Sequence, residues 1–249
     1  MTQLRPLSAL IFAVVLLAIW QTVTMQSLVP AVLLPSPASI ANRIFTGAGT
    51  LLPNAASTSL VAVGGFALAL VAGLGLAAAM ALSAWLTRLL YPNLLLFQLL
   101  PKVALGPLFV VWLGIGVPSR LAFTTVVSVF PVVIGTLAGL RAANPGQIRL
   151  CQALLASLWQ IFIHIRVPGA LPYIFAGARI AATLAFTGAV VGEFISSDSG
   201  LGHVIMNAAS QSDTALVFAS LVVLCILGAA LYGLVGLAER FARRRWRSR

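Results

Sequence analysis

Hydrophobic positions in this chain gather into six long blocks separated by polar or proline-containing breaks of unequal length. A helix needs about twenty apolar residues to cross about 30 Å of hydrocarbon. Windows of that length predict spans at residues 7–25, 57–85, 94–113, 121–140, 174–195 and 215–238. The first block follows Arg5 as a signal peptide's apolar core would, yet residues 21–27 offer no small-x-small cleavage site, so it is expected to stay as an anchor. Between the fourth and fifth blocks the pattern changes. Leu150, Leu154 and Leu158 recur every four residues, with Leu155, Trp159 and Phe162 on an adjoining stripe. That spacing predicts a short amphipathic helix, too short to span, which Pro168 and Pro172 should stop before the fifth span begins.

Composition agrees. The chain is 61% hydrophobic and 8% charged, with a mean hydropathy of +1.07, and lacks the residues to build a water-facing surface around 249 residues. The fold class expected is an all-α integral membrane protein of about six transmembrane helices. A net charge of +11 raises the question of nucleic acid, but six of the fifteen basic residues are Arg240, Arg243, Arg244, Arg245, Arg247 and Arg249. No basic face with interleaved aromatics exists elsewhere, so membrane lipid rather than nucleic acid is the expected partner of that tail.

Orientation follows from the arginines. With both termini cytoplasmic, Arg5, Arg88, Arg141, Arg149, Arg166 and the tail all lie inside, and only Arg43 and Arg120 lie outside. Residues 141–173 then form a cytoplasmic loop, with external segments at 26–56 and 196–214. Three organisational pieces are expected: an amino-terminal helix with an external segment (1–56), a core (57–240) and a basic cytoplasmic tail (241–249).

Small residues mark where helices should meet, because in lipid they associate by close packing. Gly65, Ala69, Gly73, Ala77 and Ala81 make one stripe; Gly177, Ala181 and Ala185, then Gly188 and Gly192, make another. The third block is interrupted by Pro101 and Pro107 around Lys102, and broken backbone at membrane depth is tolerated where it is buried in protein or lines a wet cavity. Lys102 is thus a candidate pathway residue or a lysine reaching the interface. Arg179 has the same two readings. Glu193 is either a gate, a partner for Arg120, or a partly solvated helix-end carboxylate.

Reactive chemistry is not expected. A phosphate-binding loop needs a glycine-rich turn ending in Lys-Ser or Lys-Thr, and the single lysine, Lys102, precedes Val103. The two histidines, His164 and His203, have no partners at metal-ligand spacing, and the four acids form no catalytic pair. Cys151 and Cys225 fall on different elements, so no bridge is expected. The chain should bind no cofactor and catalyse nothing alone.

The loop also carries a resemblance. Ala156, Ser157, Leu158, Trp159, Gln160, Ile161 and Phe162, then Val167, Pro168, Gly169, Ala170, Leu171 and Pro172, resemble the EAA loop of ABC importer permeases. Leu34-Pro35-Ser36-Pro37, the stretch from Pro101 through Lys102 to Pro107 and Trp112-Leu113-Gly114-Ile115-Gly116 are similar to the nitrate/sulfonate/taurine branch. So are Gly177-Ala178-Arg179, Val191-Gly192-Glu193-Phe194 and Ser199-Gly200-Leu201-Gly202, in the same order.

The resemblance implies a type I importer permease fold with a cytoplasmic coupling helix, in the bacterial inner membrane. It implies a second permease chain (identical or not), a pair of ATPase subunits that bind ATP and Mg, and a periplasmic or lipid-anchored solute-binding protein. The ATPase contacts would be Ala153, Leu154, Leu155, Ala156, Ser157, Leu158 and Trp159, with Pro168 fixing the exit angle. Pathway or gate candidates are Pro101, Lys102, Pro107, Arg179 and Glu193. Lys102 and Arg179 together point first to a small anion of the nitrate, sulfonate or taurine type, and second to a pyrimidine-type vitamin precursor.

The family's usual glutamate and glycine are replaced here by Arg149 and Leu155. Because leucine enters the left-handed region at a cost, the backbone there is expected to be plainly helical. A secondary transporter is the rival class, but it needs intramembrane acids and an internal repeat; Glu193 is the one acid near a span.

Overall fold

A computed structural model describes the backbone of residues 4–26 and 29–247 and the side chains of 11–26 and 29–244. Arg249 and the side chains of Arg5, Arg245 and Arg247, on which the predicted basic flanks partly rest, lie outside the described residues.

Helix α1 is Leu4–Met25, α2 Pro37–Thr46, α3 Ala48–Leu82 and α4 Ala84–Leu99. A 3-10 turn at Lys102–Leu105 leads into α5, Gly106–Leu113, and then α6, Val117–Arg141. Helix α7 is Pro145–Ala153; α8, Leu158–Ile161, runs through a π turn at Phe162–Arg166 into α9, Val167–Ile195. Helices α10, Leu201–Ser210, and α11, Thr214–Arg247, complete the chain. No strand occurs among the described residues. Among the described residues, four helical stretches are long and apolar enough to cross a membrane: α3, α6, Leu158–Ile195 and Thr214–Arg244. The bent pair α4–α5 makes up to five, and α1 adds a shorter apolar stretch, Ile11–Met25.

The third predicted span is not one helix. Its arms, α4 and Lys102–Leu113, are bent by 97°. Pro101 lacks the N–H that would continue the α4 ladder, while Pro107 sits in the first turn of α5, where none is required. The break at the end of α3 has a different cause: Ser83 stops following the helix and caps α4, its hydroxyl accepting from the Leu86 N–H at 3.3 Å. Thr87 donates back to the Met80 carbonyl at 2.5 Å, so the corner satisfies its own polar groups.

The predicted stop before the fifth span is also corrected. Pro168 follows directly on a π turn at the start of α9, and Pro172 lies inside the helix. The Val167 N–H closes onto the Phe162 carbonyl five residues back, and this wider turn carries the chain past the prolines. Leu158–Ile195 is therefore continuous over 38 residues.

Two compact units emerge, Met1–Ser57 with Asp198–Cys225, and Thr58–Ser197 with Ile226–Arg249. In the second, α6 runs between α3 and α9, and both small-residue stripes face it. A Cβ on Gly65 would lie 2.5 Å from a methyl of Thr124, and one on Gly177 would lie 2.5 Å from the Pro131 carbonyl oxygen. Ala69, Ala77, Ala181 and Ala185 are fully buried. Below them Met80, Val133 and Leu137 form one apolar cluster, and Leu140, Phe162 and Ala170 another. In the first unit Trp20 of α1 meets Phe218 at 6.0 Å, and Arg43 pairs with Asp213 at 2.6 Å.

Candidate functional site

The predicted loop helix is two helices joined by a corner. Asn144 caps α7, accepting from the Gly146 N–H at 2.8 Å, with Pro145 in the first turn. The helix ends in a Schellman arrangement: Leu155 N–H donates to Gln152 O at 3.0 Å and Ala156 N–H to Cys151 O at 2.9 Å. Leu155 stands at φ 58°, the left-handed position that glycine usually fills. The expectation of a plain helix is overturned, and the backbone bonds around the turn are its physical reason. Ser157 and Gln160 then form a reciprocal capping box that starts α8.

The corner pushes apolar side chains outward. Leu155 is 93% exposed, and Leu150, Leu154, Leu158 and Trp159 are each at least 60% exposed. Ala153 and Ser157 are exposed and Ala156 and Pro168 are half-buried. Trp159 stacks on Phe162 at 5.7 Å, and Phe162, with Ile161, is buried, so the corner rests on a fixed apolar base. Five large apolar groups on one projecting corner is a patch that marks an interaction surface.

A second constellation lies inside the bundle. Glu193 is 2% exposed and Arg120 5%. Thr58 of α3 donates to Glu193 Oε1 at 2.8 Å, and Arg120 Nη1 of α6 stands 3.9 Å from the same oxygen. Arg120 also donates to Ser197 Oγ at 2.8 Å and, through Nε, to the Gly116 carbonyl at 3.3 Å. Gly192 makes room for the arginine, since a Cβ there would lie 3.2 Å from Arg120 Cγ. Three helices are thus tied by buried charge. Arg120 is a partner the sequence offers for Glu193; Thr58 is not legible there, because one threonine in an apolar run carries no spacing signal.

The broken helix forms a third feature. Phe97, Phe109, Trp112, Phe123 and Phe130 surround a recess of about 150 Å³ with Lys102, whose Nζ lies 5.5 Å above the Phe130 ring. Pro101 and Pro107 are exposed and do not line it. Arg179 lies elsewhere: it pairs with Glu239 of α11 at 2.5 Å and stacks over Tyr232 at 5.4 Å.

The model of the family described as binding-protein-dependent transport system inner membrane component matches residues 69–247. The riboflavin transport system permease protein RibX of Chloroflexus aurantiacus is 37% identical over 90% of this chain and 85% of its own length. The formylaminopyrimidine transport permease protein ThiX of Halalkalibacterium halodurans is 33% identical over 90% of each chain. The taurine transport system permease protein TauC of Escherichia coli is 33% identical over 91% of this chain and 85% of its own. A solved inward-facing MetNI methionine ABC transporter superposes with a TM-score of 0.64 over 81% of this chain and 98% of the other, at 20% identity, a likeness of fold. With the family model covering most of the helical core and these relatives spanning nearly the whole length, the chain belongs to the inner-membrane-component family of binding-protein-dependent transport systems.

Proposed function

We propose that this multi-pass permease subunit of an ABC importer takes its driving force through the Leu154–Leu155–Trp159 corner, seated in a cleft of a separate cytoplasmic ATPase. The exposed apolar corner carries this reading: it projects on a rigid base and continues directly into α9. Closure of a nucleotide-bound ATPase pair would move the corner, and the unbroken helix would deliver that motion to Glu193 at its far end. Coupling of this kind requires the two conformations of the bundle to differ in their affinity for the nucleotide-bound partner. Both termini then lie inside the cell, and a solute-binding protein delivers cargo from the other side.

The solute reading is a planar heterocycle. Its support is the aromatic recess beside Lys102, since flat rings stack on aromatic faces, together with the riboflavin and formylaminopyrimidine permeases among the relatives. The anion reading rested on Lys102 and Arg179 together, and Arg179 is already matched by Glu239. A small sulfonate remains the second reading, favoured by the absence of a carboxylate at ion-pair distance from Lys102 among the described residues and by the taurine permease. Uptake by the reconstituted transporter decides between them. Phe130→Ala should slow riboflavin or formylaminopyrimidine uptake; a transporter that moves taurine alone contradicts the heterocycle reading.

A further inference from the structure

The face of α11 that carries Ala229, Ala230, Gly233 and Gly236 borders a groove of about 580 Å³, open along one side. Its floor is apolar and small. At Gly233 a Cβ would meet nothing within 4 Å, so the groove is open there, whereas one at Gly236 would lie 3.3 Å from Arg179 Nη2. Tyr232, Leu234 and Leu237 stand along its sides, all well exposed.

One end of this slot is cationic. Arg179 and Arg240 line it, and Arg243 joins through Glu239, which it meets at 2.7 Å. Three guanidinium groups against one carboxylate leave a surplus of two positive charges. Arg179 Nε is buried and, among the described residues, has no hydrogen-bond acceptor. The rest of the side chain is open to the groove, with 33% of it exposed. Depth fits as well: about twenty helical residues beyond Thr214 cross the hydrocarbon, which places Arg240 in the headgroup layer at the far side.

We propose that this groove is a binding site for one anionic phospholipid, its acyl chain lying along Gly233 and its phosphate held by Arg179 and Arg240. Opposite charge at the rim and a lipid-length apolar slot below it select a lipid over a free anion, which would leave the slot unused. Glu239 orients Arg179 and Arg243 toward the rim, and Gly236 leaves the guanidinium its room.

The test is native mass spectrometry of the complete transporter, purified in mild detergent and titrated with phosphatidylglycerol or phosphatidylcholine of matched chains. Phosphatidylglycerol should be retained more strongly than phosphatidylcholine. Arg240→Gln should weaken its retention about fivefold, the value of one basic residue near an anionic headgroup. Gly233→Phe, which fills the slot without touching the charges, should lower retention of both lipids. Glycerol phosphate without acyl chains should not compete. Equal retention of the two lipids, indifference to both substitutions, or competition by glycerol phosphate overturns the proposal. So does a change in the number of permease chains per complex with Gly233→Phe, which would make the groove a chain–chain interface.

Discussion

Trp159 and Glu193 stand on one uninterrupted helical stretch, Leu158–Ile195, the first exposed at its start and the second buried near its end. A span of 34 residues at 1.5 Å each separates them by about 50 Å of helix. A displacement imposed at the corner therefore has a stiff route to the ion pair that ties α3, α6 and α9.

That ion pair should be costly to halve. Removing Glu193 leaves Arg120 buried with its charge unanswered, and breaking one side of a buried pair costs about 3–5 kcal/mol. Glu193→Ala should lower stability to denaturing detergent accordingly. The double substitution Arg120→Met with Glu193→Leu should recover much of the loss, because no charge then remains to be compensated. Equal loss in single and double variants contradicts this assignment.

At Gly177 an added Cβ would lie 2.5 Å from the Pro131 carbonyl oxygen, a backbone atom that cannot swing aside. Gly177→Leu should prevent α9 from seating on α6, seen as loss of the folded protein from membranes. Gly177→Ala should cost about 1–3 kcal/mol through overpacking. Gly169, where a Cβ would meet nothing within 4 Å, is the control: Gly169→Ala should be close to neutral.

Much of this was legible from residue spacing. The stripes at Gly65–Ala81 and Gly177–Gly192 announced which helix faces pack, since small residues four apart align at 3.6 residues per turn. Other features depended on partners far along the chain. Arg179 and Glu239 are 60 residues apart and Thr58 and Glu193 are 135 apart, and no local pattern joins them. The leucine repeat at 150–158 misled for a physical reason: a four-residue period describes a helix, but here it spans a Schellman turn whose left-handed residue is a leucine. The prolines misled likewise, because Pro168 follows directly on the π turn at the start of α9 and Pro172 is carried inside the helix.

Leu155 separates backbone from surface. Held at positive φ, it carries a strain of about 1 kcal/mol that glycine would relieve. Leu155→Gly should leave the fold as stable or slightly more stable while weakening ATPase attachment, because the side chain is lost. A gain in both stability and attachment would show that only the turn's shape is recognised.

Sidedness is open to labelling. In a Cys151→Ser, Cys225→Ser background, Gln147→Cys, exposed on α7 and outside the ATPase contacts, should react with a membrane-permeant maleimide in intact cells and resist an impermeant one. Reaction with the impermeant reagent places the corner outside the cell.

The corner itself is tested most directly by ATP hydrolysis in the reconstituted complex, with and without its binding protein, for wild type and for Leu155→Asp and Trp159→Asp. Both substitutions put a carboxylate on an apolar docking surface; Leu155→Asp does so at a side chain that is 93% exposed, whereas Trp159→Asp also removes the stack on Phe162. The account predicts loss of the ATPase subunit from the complex, or retention with stimulation abolished. Full assembly with undiminished stimulation in both variants would contradict it.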